Sequence, residues 1–141
     1  MRLLVVGIAC AGKTTLTRHL RTRSTLNVVD LDDEIMRCNG GRWPDIPTKN
    51  AVVLPKVLAE LCAVPDVVLF GNLPAEQTQQ LRQAGFLTAL LDVSEGELRR
   101  RHAVRLAEAG WTNIEWFDHV IDGERVVADI ADDIMKMSEG R

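Results

Sequence analysis

The stretch "RLLVVGIACAGKTTL", residues 2–16, restricts the possible fold more than any other part of the chain. Its short run of apolar, mostly branched side chains reads as a strand buried on both faces. The run stops at a glycine, and "GIACAGKT", Gly7 to Thr14, matches G-x-x-x-x-G-K-[ST] in full before a helical pattern begins. Small residues between strand and helix let the backbone wrap a phosphate chain. Consecutive amide N–H groups then point inward, and the helix adds its positive N-terminal end. Gly7, Ala9, Cys10, Ala11, Gly12, Lys13, Thr14 and Thr15 are therefore the expected nucleotide-binding residues. Lys13 is placed to reach the β and γ phosphates, and Thr14 to set its hydroxyl on Mg²⁺.

Comparable apolar runs recur at "LNVVD" (26–30), "DVVLFG" (66–71) and "FLTALLDV" (86–93), with a weaker one at "HVID" (119–122). Helical patterns between them cover 13–22, 32–38, roughly 55–63, 75–84, 94–109 and 124–137. Ser94 with Glu97 forms a capping box at the start of one helix. Pro74 stands where a helix begins and Gly85 where it ends, while Pro55 is tolerated only in a first turn or at a kink. The segment "NGGRWPDIPTK" (39–49) reads as a loop. Strands alternating with helices imply a doubly wound α/β domain, a parallel sheet with crossover helices on both faces. The length, 141 residues, fits one domain, 1–141.

Composition narrows the partners. A formal net charge of −3 argues against a broadly basic nucleic-acid surface, although "RRRHAVR" (99–105) concentrates positive charge locally. Cys10, Cys38 and Cys62 are odd in number, widely spaced and without a CxxC pair. They indicate neither a disulfide framework nor a zinc site, and read as buried or incidental thiols of a reducing compartment. Cys10 alone lies in the glycine loop, where oxidation would be felt. Leu3 to Val6 is too short for a signal-peptide core or a membrane span, so a soluble, cytoplasmic protein without a membrane partner is expected. His19, His102 and His119 show no spacing of a metal site or catalytic couple.

The glycine loop is shared by switches, motors and phosphotransferases. The D-x-x-G and N-K-x-D elements of switch GTPases and the L-S-G-G-Q signature of transport ATPases do not occur in the sequence. In "LTALLDVSEGE", Asp92 follows apolar residues as a Walker-B acid does, or simply ends a strand before a helix. The chain instead resembles, over nearly its whole length, the small P-loop kinases of the adenylate-kinase and shikimate-kinase type. The resemblance rests on the glycine loop, on "VVDLDDEI" after the second strand and on "LDVSEGELRRRHAVR". It implies a P-loop NTPase fold: a five-stranded parallel sheet in the order 2-3-1-4-5 with helices on both faces. It also implies an acceptor-binding segment at about 32–54 and a short lid at about 99–116.

Carried over position by position, Asp30 matches the acid of the Mg²⁺ shell and Asp32 the one that contacts the acceptor hydroxyl. Phosphoryl transfer independently requires a metal to neutralise the phosphates and a carboxylate to orient or deprotonate the attacking oxygen. Acids at the carboxyl end of the strand beside the loop strand face the ligand crevice, which places Asp30 and Asp32 one strand over. Capping of the next helix is the alternative for Asp32 and Asp33. The resemblance puts Arg101 on the adenine and Arg105 on the phosphates; four residues apart, they share a helix face. Arg99 and Arg100 read as a solvated face or as lid supports. "HVIDGERV" resembles the turn beside the base, which would involve Asp122 and Gly123, although a plain strand-to-helix turn also accounts for them.

Departures from the resemblance concern the acceptor. The chain has no room for a large lid or a separate monophosphate-binding domain, and "FGNLP" stands where shikimate kinases carry a glycine-rich turn. Asp32, Arg37, Arg42, Trp43 and Asn72 are the expected acceptor-binding residues. The arginines suit a carboxylate or phosphate, and Trp43 suits a ring, unless it covers the core. Trp111, Trp116 and Phe117 read as core or lid-hinge packing. The expectation is an ATP- and Mg²⁺-dependent kinase acting on a hydroxyl or phosphate of a small molecule, a nucleoside or nucleotide among the candidates. A polynucleotide or modified-base kinase and a nucleotide-binding regulatory protein without transfer activity are the alternatives.

Overall fold

The computed structural model describes residues 1–7, 13–92, 117–122 and 125–139. In chain order these residues form β1 (Arg2–Val6), α1 (Lys13–Arg23), β2 (Val28–Asp30), α2 (Leu31–Arg37) and α3 (Ile46–Thr48). A π-helical turn (Lys49–Val53), α4 (Leu54–Cys62), β3 (Val67–Phe70) and α5 (Ala75–Gln83) follow, and β4 (Leu87–Asp92), β5 (His119–Asp122) and α6 (Val127–Glu139) complete the described residues. The five described strands pair in parallel in the order β2-β3-β1-β4-β5.

Period-2 alternation explains why β1 carries no polar side chain beyond Arg2. Leu3 and Val5 point to one face, among Leu16 and Leu20 of α1 and Ile130, Ala131 and Ile134 of α6. Leu4 and Val6 point to the other, among Leu31 and Ile35 of α2, Val57 and Leu61 of α4 and Leu81 of α5. Each fully buried side chain of this kind contributes roughly 1.5–3 kcal/mol. The doubly wound arrangement thus follows from a strand that is apolar on both sides. Phe117 is buried in the α2–α4–α5 core, in keeping with its core reading. Among the described residues no helix is long and apolar enough to cross a membrane.

Three expectations are corrected. The acids after β2 lie two strands from the loop strand, because β3 inserts between β2 and β1: Asp30 is in register with Phe70, and Phe70 with Val5. The loop expected over 39–49 ends early. Asp45 accepts a hydrogen bond from the Thr48 N–H at 3.0 Å and caps a helix that starts at Ile46, with Pro47 harmless in its first turn. The helix expected from about residue 55 is therefore the second half of a continuous helical run, and Pro55 lies inside it. The π turn reconciles the two. The Leu54 N–H reaches back five residues to the Lys49 carbonyl, which widens the turn against which the proline ring would otherwise press.

Other boundaries agree within a few residues, each with a local cause. Gly85, at φ 94°, ends α5, with Phe86 N–H donating to the Leu81 carbonyl and Gly85 N–H to the Arg82 carbonyl, both at 3.0 Å. Before β5, Asp118 accepts from the buried Thr88 N–H at 2.7 Å and from the Thr88 hydroxyl at 3.0 Å, which aligns β5 with β4. The helix expected over 94–109 and its capping box lie outside the described residues, as do Trp111 and Trp116.

Candidate functional site

The carboxyl edge of the sheet brings together the ends of β1, β4 and β5, the start of α1 and the turns after β2 and β3. Gly7 is buried there, and a Cβ on it would lie 3.1 Å from the Leu91 Cβ, so a side chain would crowd β4. Residues 8–12, which include Ala9, Cys10, Ala11 and Gly12, lie outside the described residues. Lys13 and Thr14 are the first two residues of α1, and Thr15 is exposed beside them. One turn beyond Lys13, Thr17 is buried and its hydroxyl has no hydrogen-bond partner among the described residues.

On the far side of β3, the carboxylate of Asp30 accepts from the Asp32 N–H at 2.9 Å and caps α2. The capping alternative considered for Asp32 and Asp33 therefore falls on Asp30, and both following acids are exposed. Residues in register share a face, and Val5 and Phe70 pack on the α1 side, so Asp30 belongs to the face where α1 begins. Two strand spacings of about 4.8 Å put its backbone roughly 10 Å from β1. What holds it there is Gly71. A Cβ on Gly71 would lie 2.5 Å from the Leu31 Cβ, so only glycine lets the first residue of α2 seat against the end of β3. Asn72 follows, exposed at the same edge.

Toward the other side, Val6 is in register with Leu90, so β4 extends two residues past β1. Asp92 is in register with Asp122 at the end of β5. Asp122 is exposed at this edge. Gly123, Arg101 and Arg105 lie outside the described residues.

The chain separates the expected acceptor residues. Arg37 donates through Nε and Nη2 to Glu34 at 2.9 and 2.7 Å, and through Nη2 to Glu60 of α4 at 2.5 Å. Glu34 first and then Glu60 hold the Arg37 guanidinium more firmly charged, and Arg37 holds the Glu60 carboxyl below its ordinary range. Because α4 feeds the amino-terminal start of β3, this ion pair sits away from the carboxyl edge, and Arg37 is not brought to Asp30 or Asn72. Arg42 and Trp43 remain exposed at the start of the helical run. The Asn39 side-chain amide donates to the Arg42 carbonyl at 2.8 Å, and the Lys49 ammonium lies 5.1 Å from the Trp43 ring centroid. Lys49 was not anticipated. Reading 39–49 as a loop removed the helical spacing that would have placed it near Trp43.

The donors at the edge fit a magnesium nucleotide chemically. A threonine hydroxyl and a carboxylate are hard oxygen ligands of the kind Mg²⁺ takes in ones and twos. The Asp30 carboxylate bears no ion pair among the described residues. Thr17, in the second turn of α1, leaves a buried hydroxyl without a partner among the described residues.

Similarity to solved structures gives the same architecture. A shikimate kinase from Aquifex aeolicus vf5 matches with a TM-score of 0.72 and 24% identity, over 99% of this chain and 97% of that one. The fold is that of the small P-loop kinases. A shikimate kinase from Acinetobacter baumannii, in complex with shikimate, matches at 0.68 and 24% over 99% and 93% of the two chains. A gluconokinase from Sinorhizobium meliloti 1021 matches at 0.58 and 16% over 99% and 94%. No protein-family model matches the chain, and neither does any curated protein. The P-loop-kinase architecture expected from the sequence, including the strand order 2-3-1-4-5, is the one observed.

Proposed function

We propose that the chain is a phosphotransferase that moves a phosphoryl group from ATP to a hydroxyl or phosphate of a small metabolite. The observation that carries this reading is the division of labour at the start of α2. Asp30 caps the helix, and Asp32, one residue into it, is exposed at the carboxyl edge of the sheet, where β1 ends and α1 begins. The structural neighbours, among them shikimate kinases and a gluconokinase, support a small-molecule acceptor.

In this reading the loop amides from Gly7 to Thr15 and the Lys13 ammonium grip the phosphates, while Thr14 and Asp30 hold Mg²⁺. The bound magnesium nucleotide supplies the transferable phosphoryl group. Asp32 orients the acceptor hydroxyl and takes its proton on a carboxylate oxygen as that hydroxyl attacks. Asn72, Arg42 and Trp43 contact the acceptor, Arg101 and Arg105 close over the donor, and Asp122 and Gly123 lie beside the base. Arg37 is assigned no contact in this reading, because its guanidinium already pairs with Glu34 and Glu60.

ADP release against a panel of nucleosides, nucleotides, sugars, hydroxy acids and nucleic-acid ends tests the proposal. One class of small molecule should stimulate release. With that acceptor, Asp32→Asn should lower turnover by about 10²- to 10⁴-fold while ATP binding persists, and Lys13→Ala should abolish transfer. Full activity of the Asp32 variant would remove its assigned role. Tight ATP binding with no stimulation by any acceptor would point to the regulatory alternative.

A further inference from the structure

Two neighbouring helices on one face of the sheet carry opposite charge. α1 and α6 touch side by side, and their inner sides are closed by Leu16 and Leu20 of one and Ile130, Ala131 and Ile134 of the other. Each starts beyond the carboxyl end of a strand and runs back across the same sheet face, so the two point the same way. Over Lys13–Arg23, α1 holds four Lys or Arg residues and no acid, whereas over Val127–Glu139 α6 holds four acids and one lysine. Internal contacts account for only part of this charge. Arg21 donates to the Val28 carbonyl at 3.1 and 3.2 Å, and Asp133 pairs with Arg125. Arg18 and Arg23 on α1, and Asp129, Asp132 and Glu139 on α6, are exposed and form no ion pair among the described residues. The fold sets the two signs beside each other without joining them.

We infer that the α1–α6 face is an interface between two copies of this chain. A twofold axis running along the helices lays α1 of one copy on α6 of the other, and α6 of the first on α1 of the second. Arg18 then opposes the partner's Asp132, each being the sixth residue of its helix, and Arg23 lies toward the partner's Glu139. An axis across the helices stacks α1 on α1, which opposes like charges. A nucleic acid or an acidic peptide suits α1 but meets the carboxylates of α6 next to it. A surface with both signs in the same order satisfies both helices, and the chain itself supplies one. Two helices about 10 Å wide and 16–20 Å long offer roughly 350 Å² a side, short of the roughly 800 Å² per partner of a standard stable interface. Each exposed pair adds at most about 1 kcal/mol. The dimer is therefore weak, and charge rather than apolar area sets its partner and register. This association is independent of what the site at the carboxyl edge transfers.

Sedimentation equilibrium of the full chain tests it, with Arg18→Glu plus Arg23→Glu as one variant and Asp132→Lys plus Glu139→Lys as the other. The parent should dimerise at about 0.1 M salt and associate at least about tenfold more weakly at about 1 M, where the screening length falls to about 3 Å. Each variant alone opposes like charges and should sediment as a monomer with a thermal midpoint close to the parent's. Mixed in equal amounts, the two restore opposite charges across both contacts and should form a heterodimer at least as tightly as the parent dimerises. If a reversal does not fold, Arg18→Gln plus Arg23→Gln takes its place and should weaken the parent dimer about tenfold. A parent that stays monomeric at low salt, a dimer that no variant weakens, or folded reversal variants that do not associate when mixed would each overturn the inference. So would a monomeric parent that binds a DNA or RNA oligonucleotide through Arg18 and Arg23, which would give α1 to a nucleic acid instead.

Discussion

Two of the four basic residues between β2 and β3, Arg37 and Lys49, look alike in sequence and differ in what the fold does with them. At one end Arg37 pairs with Glu34 and Glu60, while 56% of its side chain stays exposed. At the other, the Lys49 ammonium lies over the Trp43 indole, with no carboxylate partner among the described residues. Eleven residues of helical run separate Lys49 from Glu60, roughly 16 Å at 1.5 Å per residue. A cation in a recognition segment is thus informative only once its intramolecular partners are known. One that is already neutralised ties helices together, and one left over remains available to a ligand.

The largest expected effect falls on the support common to both ends. Leu31 is buried at the start of α2, and Leu31→Ala should lower the free energy of unfolding by about 2–5 kcal/mol in chemical denaturation. Gly71→Ala pushes against the same residue and should cost about 1–3 kcal/mol while displacing Asp30 and Asp32. A variant as stable as the parent would mean that the seat of α2 is adjustable and that the two ends are not fixed relative to the acids.

Smaller effects distinguish the ends themselves. Arg37→Ala should lower the denaturation midpoint slightly and leave the acceptor KM unchanged. A raised KM would return Arg37 to the acceptor site and dissolve the contrast.

The smallest effect is the response to acid. Hydrogen bonding from Thr48 holds the Asp45 carboxyl below its ordinary range, and Arg37 does the same for Glu60. A carboxyl whose folded value is depressed contributes its stability above the unfolded value, about 4, and loses it as pH falls through the folded value. The midpoint should therefore drop as pH falls below about 4. Asp45→Asn with Glu60→Gln should flatten the drop, and high salt should erase more of the Glu60 share than of the Asp45 share. An equal response to salt would mean that the cap and the ion pair are electrostatically alike.

Much of the frame was legible because it depends on local pattern. An apolar strand running into a glycine loop and a helix has few ways to fold, and the Asp30–Asp32 spacing places an acid on each side of a helix start. What was not legible depends on which groups meet across the chain. Asp30 rather than Asp32 takes the cap because the strand continues to Asp30 before the chain turns. Asp45 turns the end of an expected loop into a helix. The π turn that accommodates Pro55 is a compromise between a proline and a helix already started upstream.

The sequence by itself determined the parallel sheet and the identity of the acids at its edge, since each is set by residue type and short-range spacing. Tertiary structure decided that Gly71 seats α2, and that Arg37 pairs with Glu60 of α4 while the Lys49 ammonium lies over an indole. The reason is the same in each case. Partners 23 or more residues apart meet only when the sheet closes, and a side chain's availability is settled by those meetings.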